Sequence, residues 1–97
     1  MSRVILLPEA REDVLEAFHW YDGERPGLGK VFRAALNQAI RGIRTTPFAA
    51  QVVYRDLRRV MVDRFPYGVF SRVLPEAIVV VGVIHGRRAP TAWMRRG

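Results

Sequence analysis

His85, Arg87 and Arg88 stand together where a long apolar run near the C-terminus stops. An imidazole beside two guanidinium groups suits a polyanion, since arginine forks phosphate bidentately and histidine titrates near neutrality. RNA phosphate is the evident candidate. The run before them, Ala77 to Ile84, lacks polar alternation. It predicts a strand buried on both faces, with the polar cluster at the rim of a sheet. Alternating strand geometry would place His85 and Arg87 on one face. His85 is equally suited to a structural hydrogen bond, and Arg87 and Arg88 to an acidic protein segment.

The elements that must position this cluster follow from periodicity. Arg3 to Leu7 reads as a short strand, and Pro8 fits the first turn of a helix, where a missing N–H costs nothing. Ala10, Val14, Ala17, Phe18 and Tyr21 form its apolar stripe, with Trp20 expected in the same packing. Asp22 to Gly29, rich in glycine and proline, breaks the helix. Phe32, Ala35, Leu36, Ala39, Ile40 and Ile43 define a second helix, which Thr45-Thr46-Pro47 ends. The period then changes to two. Strands are expected at Gln51–Tyr54, Arg58–Arg64 and Val69–Leu74 before the final buried one. Pro90 to Arg96 reads as one helical turn or a loose tail. The order is strand, helix, helix and a meander of strands, an α+β domain spanning residues 1–97.

Composition narrows the chemistry. The 97 residues include no cysteine and two distant histidines, His19 and His85, so neither a metal site nor a cofactor is expected. No apolar segment approaches the ~20 residues of a membrane helix, and the expected location is cytoplasmic. The net charge of +7 is unevenly placed: residues 1–30 carry a net −2 and residues 31–97 a net +9. Such polarity suggests a basic face that meets nucleic acid or an acidic partner.

Several pieces, taken in order, resemble a known family. They are His19-Trp20-Tyr21, the loop Arg25-Pro26-Gly27-Leu28-Gly29, and the Ala39-Ile40 helix closing at Pro47. Arg58-Arg59, Phe65-Pro66-Tyr67 and the ending His85-Gly86-Arg87-Arg88, with Pro90 and Trp93, complete the set. Each piece is weak alone, but the ordered set is similar to the RelE/ParE superfamily of type II toxin–antitoxin toxins. The resemblance implies a two-helix hairpin packed on a small antiparallel sheet, in the order β-α-α-β-β-β-β. It also implies a growth inhibitor silenced by a cognate antitoxin in a hetero-oligomer. RelE-like members cut mRNA on the ribosome, driving the 2′-hydroxyl onto the adjacent phosphate. ParE-like members poison DNA gyrase and are not known to be nucleases.

The chain departs from the RelE-like catalytic pattern. Arg87 matches the phosphate-stabilising arginine just beyond the last strand, but Trp93 stands where that branch has a tyrosine. Gly68 replaces the arginine that follows the middle-strand tyrosine, and the branch's preceding lysines are absent. His85 is left for proton transfer, with Arg87 and Arg59 on phosphate. Arg55, Arg58, Tyr67, Arg88 and Trp93 are candidates for binding substrate or antitoxin. The leading expectation is a ribosome-dependent mRNA endoribonuclease. A gyrase inhibitor without nuclease chemistry, or a diverged inactive interaction module, is the alternative. In each case the antitoxin is expected over Arg58, Arg59 and Arg87.

Overall fold

The computed structural model describes residues 3–97. The chain runs β1 (Arg3–Leu6), α1 (Pro8–Glu24), α2 (Leu28–Thr45), a 3-10 turn (Pro47–Ala49), β2 (Gln51–Tyr54), β3 (Leu57–Met61), β4 (Tyr67–Val73), β5 (Ala77–His85) and α3 (Thr91–Met94). The five strands form one sheet in the order β1-β5-β4-β3-β2. Pairing is antiparallel from β5 to β2, and the helices return the chain so that β1 lies parallel to β5. The expected α+β order holds, with one parallel edge pair added.

The helical connection is shorter than the glycines and prolines suggest. α1 continues to Glu24 and α2 begins at Leu28, leaving Arg25, Pro26 and Gly27 between them. Asp22 explains the economy: its Oδ1 accepts from the N–H groups of Gly27 (2.9 Å) and Gly29 (3.2 Å). Donors left unpaired at the start of α2 are thereby satisfied from the end of α1. Gly27 has φ 92°, which glycine adopts without a Cβ penalty.

Two apolar layers flank the sheet. Against the helices lie Phe32, Leu36 and Ile43 of α2, Ala10 and Ala17 of α1, and Val69, Ile78, Val80 and Val83 of the strands. On the other face, Leu57, Phe70, Val81 and Ile84 are covered by Ala92 and Trp93 of the C-terminal turn. Burial of β5 on both faces is the state expected from its unbroken apolar run. The tail is a helical turn, fixed by Trp93 stacking on Phe70 with centroids 5.1 Å apart.

Candidate functional site

His85 is the hub of the polar rim. It ends β5 opposite Tyr67, the first residue of β4. The two rings meet edge to face at 5.1 Å. Two short backbone links hold this corner: Gly86 N–H donates to the Pro66 carbonyl (2.7 Å), and Arg88 N–H to the His85 carbonyl (3.0 Å). The strand therefore ends at His85, and Arg87 lies in the turn beyond it rather than along the strand. Its backbone N–H donates to His85 Nδ1 at 3.0 Å. With Nδ1 accepting this bond, Nε2 is the ring's remaining hydrogen-bonding nitrogen.

Three depressions share His85 as a wall. The first, about 480 Å³, is lined by Trp20, Tyr21, Pro66, Tyr67, His85 and Arg87. The second, about 220 Å³, adds Asp13, Glu16 and Arg88 to Tyr67 and His85. The third, about 280 Å³, lies on the face covered by α3 and joins His85 to Arg59, Gly68 and Trp93. His85 and Arg87 thus share one depression, and His85 and Arg59 another. Of these three depressions, none is lined by both Arg59 and Arg87.

The remaining nominated residues are distributed unevenly. Tyr67 and Arg88 lie at the His85 corner. Arg58 is engaged elsewhere: its Nη1 donates to the carbonyls of Phe48 (3.1 Å) and Ala50 (2.9 Å), and its guanidinium covers the Phe48 ring. Arg59 Nη2 reaches Gln51 Oε1 at 3.4 Å, while Arg55, with φ 54°, lies over Tyr54 in the β2–β3 turn. Trp93 is packed on Phe70 and lines the Arg59 depression.

Burial raises the Tyr67 phenol above the ordinary tyrosine range, and Tyr21, Glu16 and Asp13 push it the same way. Burial also raises Tyr21. Both phenols keep their protons at neutral pH, so neither serves as a base there. Among the described residues no group of three His, Cys, Asp or Glu side chains could hold a metal ion.

Trp20, Tyr21, Pro66, Asp13 and Glu16 belong to this corner but are not among the residues nominated from sequence. Trp20 was expected inside the hairpin packing, yet it is 61% exposed. The signal lay in its phase, because it falls off the Ala10–Val14–Ala17–Tyr21 stripe that turns inward. Tyr21 completes that stripe and also reaches the Tyr67 ring at 6.1 Å, so one residue serves both core and site.

The family model for the ParE toxin of the type II toxin–antitoxin system parDE matches residues 4–90, from β1 through the His85–Arg88 corner. The chain belongs to this toxin family. Among solved structures, this toxin is similar to one described as the chromosomal ParDE TA system from P. aeruginosa. The TM-score is 0.77 at 13% identity, over 88% of this chain and 96% of that one. At that identity the likeness concerns the fold, and it confirms the two-helix and sheet architecture. No curated protein sequence matches the toxin.

Proposed function

We propose that this toxin arrests growth by holding DNA gyrase without cutting RNA, and that a cognate antitoxin silences it in a toxin–antitoxin complex. The observation that carries the reading is the separation of Arg59 from Arg87, which line different depressions. Metal-free cleavage of RNA needs cations converging on the phosphorane with a base and an acid in reach. Here Arg87, Arg88 and Arg59 each line a different depression around His85, the Tyr67 phenol holds its proton, and His85 Nδ1 is occupied by Arg87 N–H. Membership of the ParE family supports the same reading, since the ParE-like branch is the gyrase-directed one.

The antitoxin's acidic segment is proposed over Arg59, Arg87 and Arg88, with Arg58 contributing less because two backbone carbonyls already hold it. A segment that folds on contact suits such a surface. Convergence of His85, Arg87 and Tyr67 in one depression favours a second reading, ribosome-dependent mRNA cleavage with His85 and Arg87 at the scissile phosphate.

The deciding experiment is pulse labelling of DNA and protein synthesis after controlled induction, paired with a gyrase supercoiling assay on toxin released from its antitoxin. Loss of DNA synthesis first, with inhibited supercoiling, is the expected result. If protein synthesis stops first, supercoiling is untouched and Arg87→Ala restores translation, the gyrase reading is wrong and the nuclease reading replaces it.

A further inference from the structure

The outward face of α1 is not used by the core, and only its Glu16 and Trp20 edge reaches the His85 corner. Ala10 and Ala17 are buried, and Val14 and Tyr21 pack against the same cluster. Left facing solvent are Leu15, 50% exposed, and Trp20, 61% exposed. Glu12, Glu16 and His19 join them around an open depression of about 560 Å³. A tryptophan this exposed beside a leucine is an anchor without its pocket. The charge here also opposes that of the molecule: among the described residues neither Glu12 nor Glu16 takes part in an ion pair, although the chain carries +7.

We infer that this face of α1 docks the toxin's protein target, through a target surface that offers an apolar pocket rimmed by lysine or arginine. The sign of the charge selects this occupant. An acidic antitoxin segment that suits Arg59, Arg87 and Arg88 would meet like charge at Glu12 and Glu16. A second copy of the chain, presenting the same acidic face about a two-fold axis, would meet it as well. A basic target gains at both acids and buries Leu15 and Trp20. Antitoxin and target then occupy different faces that adjoin at Trp20, which lines both the α1 depression and the His85 one. The inference rests on the reading that the toxin works by holding a protein, and not on that protein being gyrase.

Glu12→Lys/Leu15→Ser tests it, because neither residue lines the His85 depressions. Growth arrest on induction and affinity of the purified toxin for its antitoxin are measured side by side, with circular dichroism as the control for folding. Expected are an arrest weakened about tenfold or more and antitoxin affinity changed by less than about twofold. Glu12→Lys alone should weaken arrest in the same direction, and Glu12→Asp should retain it. Arrest equal to wild type in both charge variants overturns the inference. So does a parallel loss of antitoxin binding, which would assign the face to the antitoxin. The wild-type supercoiling assay reads the gyrase proposal separately. If supercoiling is untouched while Glu12→Lys/Leu15→Ser loses arrest, the gyrase reading falls and the docking face stands. If both proteins inhibit gyrase equally, the docking face falls and the gyrase reading stands.

Discussion

Arg96 closes on Asp13 across 83 positions of sequence, with Nη1 to Oδ2 at 2.5 Å and Nη2 to Oδ1 at 3.2 Å. The pair does more than join the C-terminus to α1. β1 reaches only as far as Val80 on the outer edge of β5, so the following stretch of that edge lacks a strand partner. Asp13 Oδ2 accepts from Val83 N–H at 2.9 Å, and Arg96 Nη1 donates to the Val81 carbonyl at 3.2 Å. Two side chains thus satisfy the backbone where a strand would otherwise be needed. The hydrogen bond to Asp13 is also the main reason the Arg96 pKa is raised.

Asp13→Ala removes the acceptor for Val83 N–H and leaves the Arg96 guanidinium, at 22% side-chain exposure, without its carboxylate. A loss of about 1.5–3 kcal/mol is expected, the range for hydrogen bonds to charged groups. Asp13→Asn keeps an acceptor for Val83 and should lose less. Urea midpoints at constant m-value check the order wild type, Asn, Ala; equal midpoints for Asn and Ala would mean that the β5 edge needs no acceptor.

Ser71 is fully buried in β4, and its Oγ has no hydrogen-bond partner. It stands at the irregularity between Phe70 and Ser71, where the pairing with β5 shifts. A buried hydroxyl left unpaired costs about 1–3 kcal/mol in desolvation. Ser71→Ala is therefore expected to raise stability, by about 1 kcal/mol once the small void is allowed for. Thermal melts decide it, and a lower midpoint in the alanine variant would show that the hydroxyl finds a partner.

Gly29 sets how closely the helices approach. A Cβ there would stand 2.8 Å from the Phe18 carbonyl oxygen and 3.0 Å from its ring. Because one obstacle is backbone, Gly29→Ala must push α1 from α2, at about 1–3 kcal/mol. Gly42, also within α2, has nothing within 4 Å of its added Cβ. Gly42→Ala should instead stabilise by about 0.5–1 kcal/mol through helix propensity. Opposite signs in a chemical denaturation series are the expected outcome.

These examples show which parts of the molecule periodicity can read. The stripes of α1 and α2 and the apolar run of β5 each arise from residues a few positions apart, so their spacing carries the element. The strand limits shifted where pairing rather than composition sets the end: β3 stops at Met61, short of the expected Arg64, and β4 starts at Tyr67. The separation of Arg59 from Arg87 was not legible. Arg59 pairs with Phe70, which faces α3, and that parity depends on register across two strand pairs and an irregularity in β4. Asp13–Arg96 was hidden for the same reason, since a contact between the two chain ends leaves no local pattern. His85, Arg87, Tyr67 and Arg88 came together because strand ends at one rim of a sheet are neighbours by topology.

Tyr67 gives the toxin a predictable alkaline limit. Its folded pKa is raised, mainly by burial, so the native state holds that proton after an unfolded tyrosine, near about 10, has released it. In that window the folded chain binds more protons than the unfolded one, and stability falls as pH rises. The contribution is complete below the unfolded value and is lost as pH climbs through the folded one. Tyr21 is raised in the same direction and adds to the slope. Tyr67→Phe removes one ionisation while keeping the ring against His85. Urea midpoints between pH 8 and 11 should fall less steeply in the phenylalanine variant than in wild type. Parallel slopes would show that the phenol ionises as freely in the folded chain as in the unfolded one, and the corner would then be wetter than its packing implies.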